Sequence, residues 1–204
     1  MGASTLTHAY NGMNGVHHRA PGPVAAATRT PGVVLEVIND GVHVHPEVVR
    51  MLFAAAPGRI ALISDAMSAA GGEDGRYSLG GMDVDVCEGV ARLAHGGSIA
   101  GSTLTLDKSL RLAVETAGIP IAEAVQALTF TPAAAIGLGH AHGRLARDYP
   151  ADAVLLDSRL QVLEVWLDGR KTRDGTIGKA AGQAGQMSSA TEQEHHNDRP
   201  SCTR

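Results

Sequence analysis

Two short runs rich in β-branched residues, VVLEVI (Val33–Ile38) and RIALIS (Arg59–Ser64), flank a single amphipathic helix pattern. In that helix, PEVVRMLFAAA (Pro46–Ala56), Val49, Leu52 and Phe53 share one face, and Pro46 suits a first helical position. Asn39-Asp40-Gly41 breaks the first run, and Pro57-Gly58 ends the helix. Strand, helix, strand at this spacing reads as βα units around a parallel sheet, because parallel neighbours need a crossover between them. A third strand is expected before His8 and a weak fourth around Gly97–Ala100.

The rest of the chain differs in texture. Val84, Val86, Val90 and Leu93 flank Glu88-Gly89, the pattern of a hairpin. Ser102-Thr103 is expected to open a helix that closes at Gly118, followed by helices at Ile121–Leu128 and from Thr131-Pro132, with Thr131 as the N-cap. AVLLD (Ala153–Asp157) and QVLEVWLDG (Gln161–Gly169) are the last expected strands. Residues 175–204 are polar and aperiodic, so a disordered tail is expected there.

Composition excludes several classes. A net charge of −4 argues against a nucleic-acid partner. No apolar run reaches the roughly 18 residues needed to span a bilayer. The start lacks the charged and apolar regions of a secretory signal, so a cytoplasmic location is expected. Cys87 and Cys202 make no disulfide framework, and no bridge is expected because Cys202 falls in the polar tail.

Three chemistry-bearing side chains fall where strands are expected to end: His8, His43 and Asp65. Carboxyl ends of parallel strands form the active-site face of α/β sheets and barrels. Two imidazoles and a carboxylate converging there suit metal-assisted hydrolysis: one ligand, one group on a carbonyl oxygen, one general base. His43-Val44-His45 leaves open a second reading, an H-x-H metal pair on one strand face.

The local motifs THAYNGM, HHRAPGP, DGVHVHP, LISDAMSAAG and IAGSTLTLD occur in that order between Thr7 and Asp107. Together they resemble the N-acetylglucosamine-6-phosphate deacetylases of the amidohydrolase superfamily, and the resemblance runs from about Thr7 to Gly169. It implies an α/β fold: residues 1–148 as the C-terminal βα units of a (β/α)₈ barrel, and residues 149–174 as strands of a small β-sandwich. It implies hydrolysis of the acetamide of N-acetylglucosamine 6-phosphate, with Asp65 as the catalytic carboxylate and His8 as a metal ligand. Asn11, Gly12, Arg19, His43, Ile99, Ala100 and Gly101 are implied to bind substrate, Arg19 through the 6-phosphate and His43 through the acetamide. Gly12 stands where the family has alanine. A divalent metal, zinc or iron, a phosphorylated amino sugar and a homodimer are implied as cofactor, ligand and assembly. One departure is large: the family's glutamate and first histidine ligands have no counterpart before His8. The chain is therefore expected to be a C-terminal half with an incomplete metal site. Alternatives are a catalytically inactive binding or dimerisation module, or a deacetylase of a related phosphosugar such as N-acetylgalactosamine 6-phosphate.

Overall fold

A computed structural model describes residues 2–174, a mixed α/β arrangement with three three-stranded sheets. The expected tail lies outside the described residues.

The first sheet is parallel, in the order β1 (Thr5–Leu6), β2 (Val34–Ile38), β3 (Ile60–Ile63). Leu35 is level with Ile60, and Ile38 with Ile63. α1 (Gly22–Arg29) connects β1 to β2, and α2 (Pro46–Ala55) connects β2 to β3. α2 starts where its proline requires, and His45 caps it by accepting from the Glu47 N–H. α1 went unread in the sequence because VAAATR offers only Val24 and Ala27 to the core.

Side chains alternate across a strand. Leu35, Val37, Ile60 and Leu62 face the helices and form the main core with Val49, Leu52, Phe53 and Ala113. All the helices of that core therefore cover one side of the sheet.

β4 (Gly75–Leu79), β5 (Met82–Cys87) and β6 (Val90–Leu93) form an antiparallel meander around Val84, Val86 and Ala91. The expected Glu88-Gly89 turn is there, with φ values of 51° and 73°. Asp74 pins it by accepting from both backbone N–H groups. β4 escaped the sequence reading because GRYSL has little apolar alternation. Cys87, against expectation, is disulfide-bonded.

The fourth parallel strand is replaced by isolated bridges: Arg92 pairs with Ile99, and Ala66 pairs in parallel with Ser102. Ser102 thus extends the sheet instead of starting a helix. Its Oγ donates to the Ser64 carbonyl, and the Leu104 N–H donates to that oxygen. The helix begins later, as α3 (Leu106–Arg111), and passes into a π-helical turn over Leu112–Thr116. α4 (Ile121–Leu128) matches expectation, whereas α5 (Phe130–Ala135) starts a residue before Thr131. Thr131 is not the N-cap: it is buried, and its hydroxyl donates to the Gly58 carbonyl.

The third sheet is antiparallel: β7 (Ala153–Leu156), β8 (Val162–Leu167) and β9 (Arg170–Asp174). β9 was not expected, since RKTRD is almost wholly polar; it pairs along an edge where one face needs no core.

Candidate active site

β1, β2 and β3 run parallel, so their carboxyl ends lie along one edge. His8 follows β1 by two residues, Asp65 follows β3 by two, and His43 sits in the loop between β2 and α2. Two strand spacings, roughly 10 Å, separate the outer strand ends.

His8 and Asp65 share an uncommon backbone: φ is 30° at His8 and 47° at Asp65. Left-handed conformations cost energy for residues with a Cβ, and they cluster where a side chain must be aimed at a ligand.

The His8 ring is fixed within its own loop. Its Nδ1 lies 3.0 Å from the Asn11 carbonyl. A carbonyl only accepts, so Nδ1 carries the proton and Nε2 keeps its lone pair. Asn11 Nδ2 in turn donates to the Ala9 carbonyl at 3.3 Å. Gly12 adopts φ +63°, and a Cβ there would stand 3.7 Å from His8 Cε1, so an alanine is accommodated in space though strained in backbone. Burial pushes the Tyr10 phenol above its ordinary pKa.

Asp65 is held through its main chain. The Ser102 N–H donates to the Asp65 carbonyl at 2.9 Å, and the Met67 N–H donates to the Ser102 carbonyl at 2.9 Å. Gly101 passes so close that a Cβ would lie 3.3 Å from the Asp65 carbonyl oxygen. The Ala100 N–H donates to the Ala91 carbonyl at 3.0 Å, which anchors Ile99-Ala100-Gly101 between β6 and Asp65.

His43 has a partner that sequence reading missed. Its Nδ1 lies 2.6 Å from Asp40 Oδ2, and both side chains are nearly buried. Asp40 Oδ1 also accepts from the backbone N–H groups of Val42 and His43, each at 2.8 Å. Burial by itself raises the Asp40 carboxyl's pKa. The His43 ring bond, the two backbone bonds and the His43 charge outweigh that, so the carboxyl sits below its ordinary value. The signal was present as Asp-x-x-His, the spacing of an Asx turn that returns to its own loop.

Arg19 lies exposed in the loop between β1 and α1, with its N–H donating to His17 Nδ1. The His17 and His18 rings pack beside it at 4.2 Å between centroids. Arg19 is the permanent cation of that loop, and no hydrogen bond or ion pair joins it to His8 or Asp65 among the described residues.

The structure thus gathers His8 with Asn11 and Gly12, Asp65 with Gly101, and His43 with Asp40. No hydrogen bond or ion pair joins these three groups among the described residues. His45 caps α2 and makes no H-x-H pair with His43. Among the described residues no three His, Cys, Asp or Glu side chains form a group able to hold a metal ion. One oriented imidazole does not fit a metal by itself. A cavity lined by Phe53, Ile60, Gln126 and Thr131 lies at the start of β3, away from this edge.

Comparison with known proteins identifies the family. The amidohydrolase family model matches residues 7–177. The chain is 45% identical over 169 residues to the N-acetylgalactosamine-6-phosphate deacetylase of Escherichia coli O157:H7, covering 83% of this chain and 45% of that protein. It is 45% identical over 163 residues to a chain of Escherichia coli K12 provisionally named N-acetylgalactosamine-6-phosphate deacetylase, covering 80% of this chain and 97% of that one. The Mycobacterium smegmatis N-acetyl-D-glucosamine-6-phosphate deacetylase, solved in complex with N-acetyl-D-glucosamine-6-phosphate, superposes with a TM-score of 0.79 at 40% identity. That superposition covers 87% of this chain and 46% of the solved one, so the chain spans about half the length of the full-size relatives it matches. Sequence and backbone both point the same way: the chain belongs to the amidohydrolase family.

Proposed function

We propose that the chain is the carboxyl-terminal half of a phosphosugar deacetylase, acting on the acetamide of an N-acetylhexosamine 6-phosphate. In this reading residues 1–148 are the last βα units of a (β/α)₈ barrel, and residues 149–174 are strands of a small β-sandwich. The observation that carries it is the Asp65 carboxylate at the end of β3, on a left-handed backbone locked by Ser102.

The residues have separable tasks. Asp65 takes a proton from water as the water oxygen bonds to the acetamide carbon. It returns that proton to the sugar nitrogen as the C–N bond breaks, giving acetate and the free amine. In its imidazolium form His43 presents an Nε2 proton to the acetamide oxygen, and Asp40 fixes the ring's direction. Arg19 supplies a planar, permanently charged fork for the 6-phosphate. Binding energy from that remote group positions the amide. Asn11, Gly12 and the Ile99–Gly101 segment line the sugar. His8 is the ligand that the expected zinc or iron would use, and the described residues do not complete that ion's site.

Glucosamine and galactosamine 6-phosphates both stay within this reading, since full-size relatives carry each name. A cytoplasmic homodimer belongs to the same proposal, and size-exclusion chromatography tests the dimer. No described helix is long and apolar enough to cross a membrane. A second reading, a binding module without turnover, is favoured by the lone metal-ligand histidine.

Acetate release from each phosphosugar, measured with zinc and with the complementary barrel half present, separates them. Turnover that falls about a thousandfold in Asp65→Asn supports the enzyme reading. Turnover indifferent to Asp65→Asn excludes the assignment, and no turnover under any condition favours the binding module.

A further inference from the structure

We infer that Thr103 is a positioning residue for Asp65: its hydroxyl, bonded to the Gly89 carbonyl, ties the antiparallel meander to the segment that fixes where the Asp65 carboxylate points. This deepens the deacetylase reading and rests on it for the role of Asp65.

Asp65 has no side-chain contact to aim it. The residue is exposed, and no hydrogen bond or ion pair holds its carboxylate among the described residues. Its direction is therefore set by its backbone, which is left-handed at φ 47°. Such a conformation persists only where the surroundings over-determine it. Ser102 supplies that restraint. Its Oγ donates to the Ser64 carbonyl, its N–H donates to the Asp65 carbonyl, and its own carbonyl accepts from the Met67 N–H.

Ser102 needs support in turn. It sits on an isolated bridge between β6 and α3, outside any helix or longer ladder. The meander holds the chain on both sides of it. Before it, Ala100 is buried with Val84, Val86 and Ala91 in the meander core, and its N–H donates to the Ala91 carbonyl at 3.0 Å. After it, Thr103 Oγ1 donates to the Gly89 carbonyl. The Glu88-Gly89 turn is a firm anchor, because Asp74 accepts from its N–H groups at 2.6 and 3.0 Å. Met67 belongs to the same meander core, two residues past Asp65. The meander thus grips Met67 directly, and Ser64 and Asp65 through Ser102.

The Thr103 bond is the part of this grip that one hydroxyl controls. It lies at the surface, where water replaces a lost partner, so the fold does not depend on it. A general base does depend on it, since a misplacement of about 1 Å costs a reaction on the order of a hundredfold.

The test compares Thr103→Val, which keeps the branched shape without the hydroxyl, with Thr103→Ser, which keeps the hydroxyl. Amide hydrogen exchange of the full chain is read by NMR at Ser102 and Met67. Leu35, whose N–H donates to the Arg59 carbonyl at 2.9 Å in the main core, is the internal reference. In Thr103→Val, exchange at Ser102 and Met67 is expected to quicken about tenfold with Leu35 unchanged, and Thr103→Ser is expected to restore it. Asp74→Ala, which loosens the turn instead, is expected to quicken the same two amides by a smaller factor. Acetate release from N-acetylglucosamine 6-phosphate with zinc is expected to fall about tenfold in kcat in Thr103→Val, at unchanged KM. Exchange that stays unchanged in Thr103→Val, that quickens equally at Leu35, or that Thr103→Ser fails to restore overturns the inference, as does a kcat indifferent to the hydroxyl. An unsubstituted chain that releases no acetate refutes the substrate reading alone, and the exchange rates then decide whether Thr103 holds the Asp65 backbone.

Discussion

Asp40 carries more of the His43 loop than its place in a turn suggests. It accepts from one ring nitrogen and two backbone N–H groups, with its side chain 11% exposed. Because its carboxyl titrates below the ordinary value, its stabilising contribution is fully present above about pH 4. That contribution is lost as pH falls through the lowered folded-state value. Asp40→Asn is expected to cost about 1–3 kcal/mol at pH 7. Urea unfolding should show the gap between the two proteins closing below about pH 4; a constant gap across pH would refute the charge argument. Ser109 gives a contrasting case. Its Oγ is buried without a partner among the described residues, while its carbonyl accepts from Asn39 Nδ2 at 3.0 Å. Ser109→Ala keeps that backbone bond and removes the orphan, so stability should rise by about 1 kcal/mol, read from the urea midpoint.

Arg59 shows how one side chain ties elements together. Its Nη1 donates to the carbonyls of Ala27, Thr30 and Val33 at 3.1, 3.1 and 2.8 Å, and its Nη2 donates to Thr28. These include carbonyls at the negative end of α1, where the Thr30 N–H already donates to Ala27 at 3.2 Å. The guanidinium thereby fixes α1 to the start of β3. Arg59→Ala should cost about 2–3 kcal/mol. Arg59→Lys should recover little, because a point ammonium cannot serve four divergent acceptors. Thermal melts of both variants check this. Gly143 sets the approach of the chain to α5. Its φ is 86°, and a Cβ would stand 2.6 Å from Phe130 Cα. Gly143→Ala should destabilise by about 2 kcal/mol, through strain and through displacement of Arg144 from its seat over the Phe130 ring.

Apolar exposure over the whole molecule is uneven. In the third sheet Val154, Leu163 and Leu167 are 56%, 47% and 60% exposed. Val154 pairs with Val165, Leu167 shares the Val165 side of β8, and exposed Leu163 stands at the bulge two residues before Val165. Contiguous patches of this kind drive association. Replacing Leu163 and Leu167 together by threonine should leave the unfolding midpoint nearly unchanged, within about 0.5 kcal/mol. The same change should lower concentration-dependent light scattering. A large loss of stability would mean that this face already packs against something within the chain.

The sequence by itself determined the elements whose periodicity is strong. β2, α2 and β3 follow from β-branched runs and a helical stripe, and the order of the motifs places the chain in its family. Weak patterns escaped: α1 and β9 offer few apolar side chains, and Ser102 reads as a helix start although it bridges to Ala66. Only the tertiary structure decided how the strand ends are furnished. The Asp40–His43 bond, the carbonyl that fixes His8, and the left-handed turns at His8 and Asp65 depend on the close approach of loops. The choice of the helix-covered side of the sheet has the same origin, since alternation marks two faces of a strand but packing alone determines which one the helices cover.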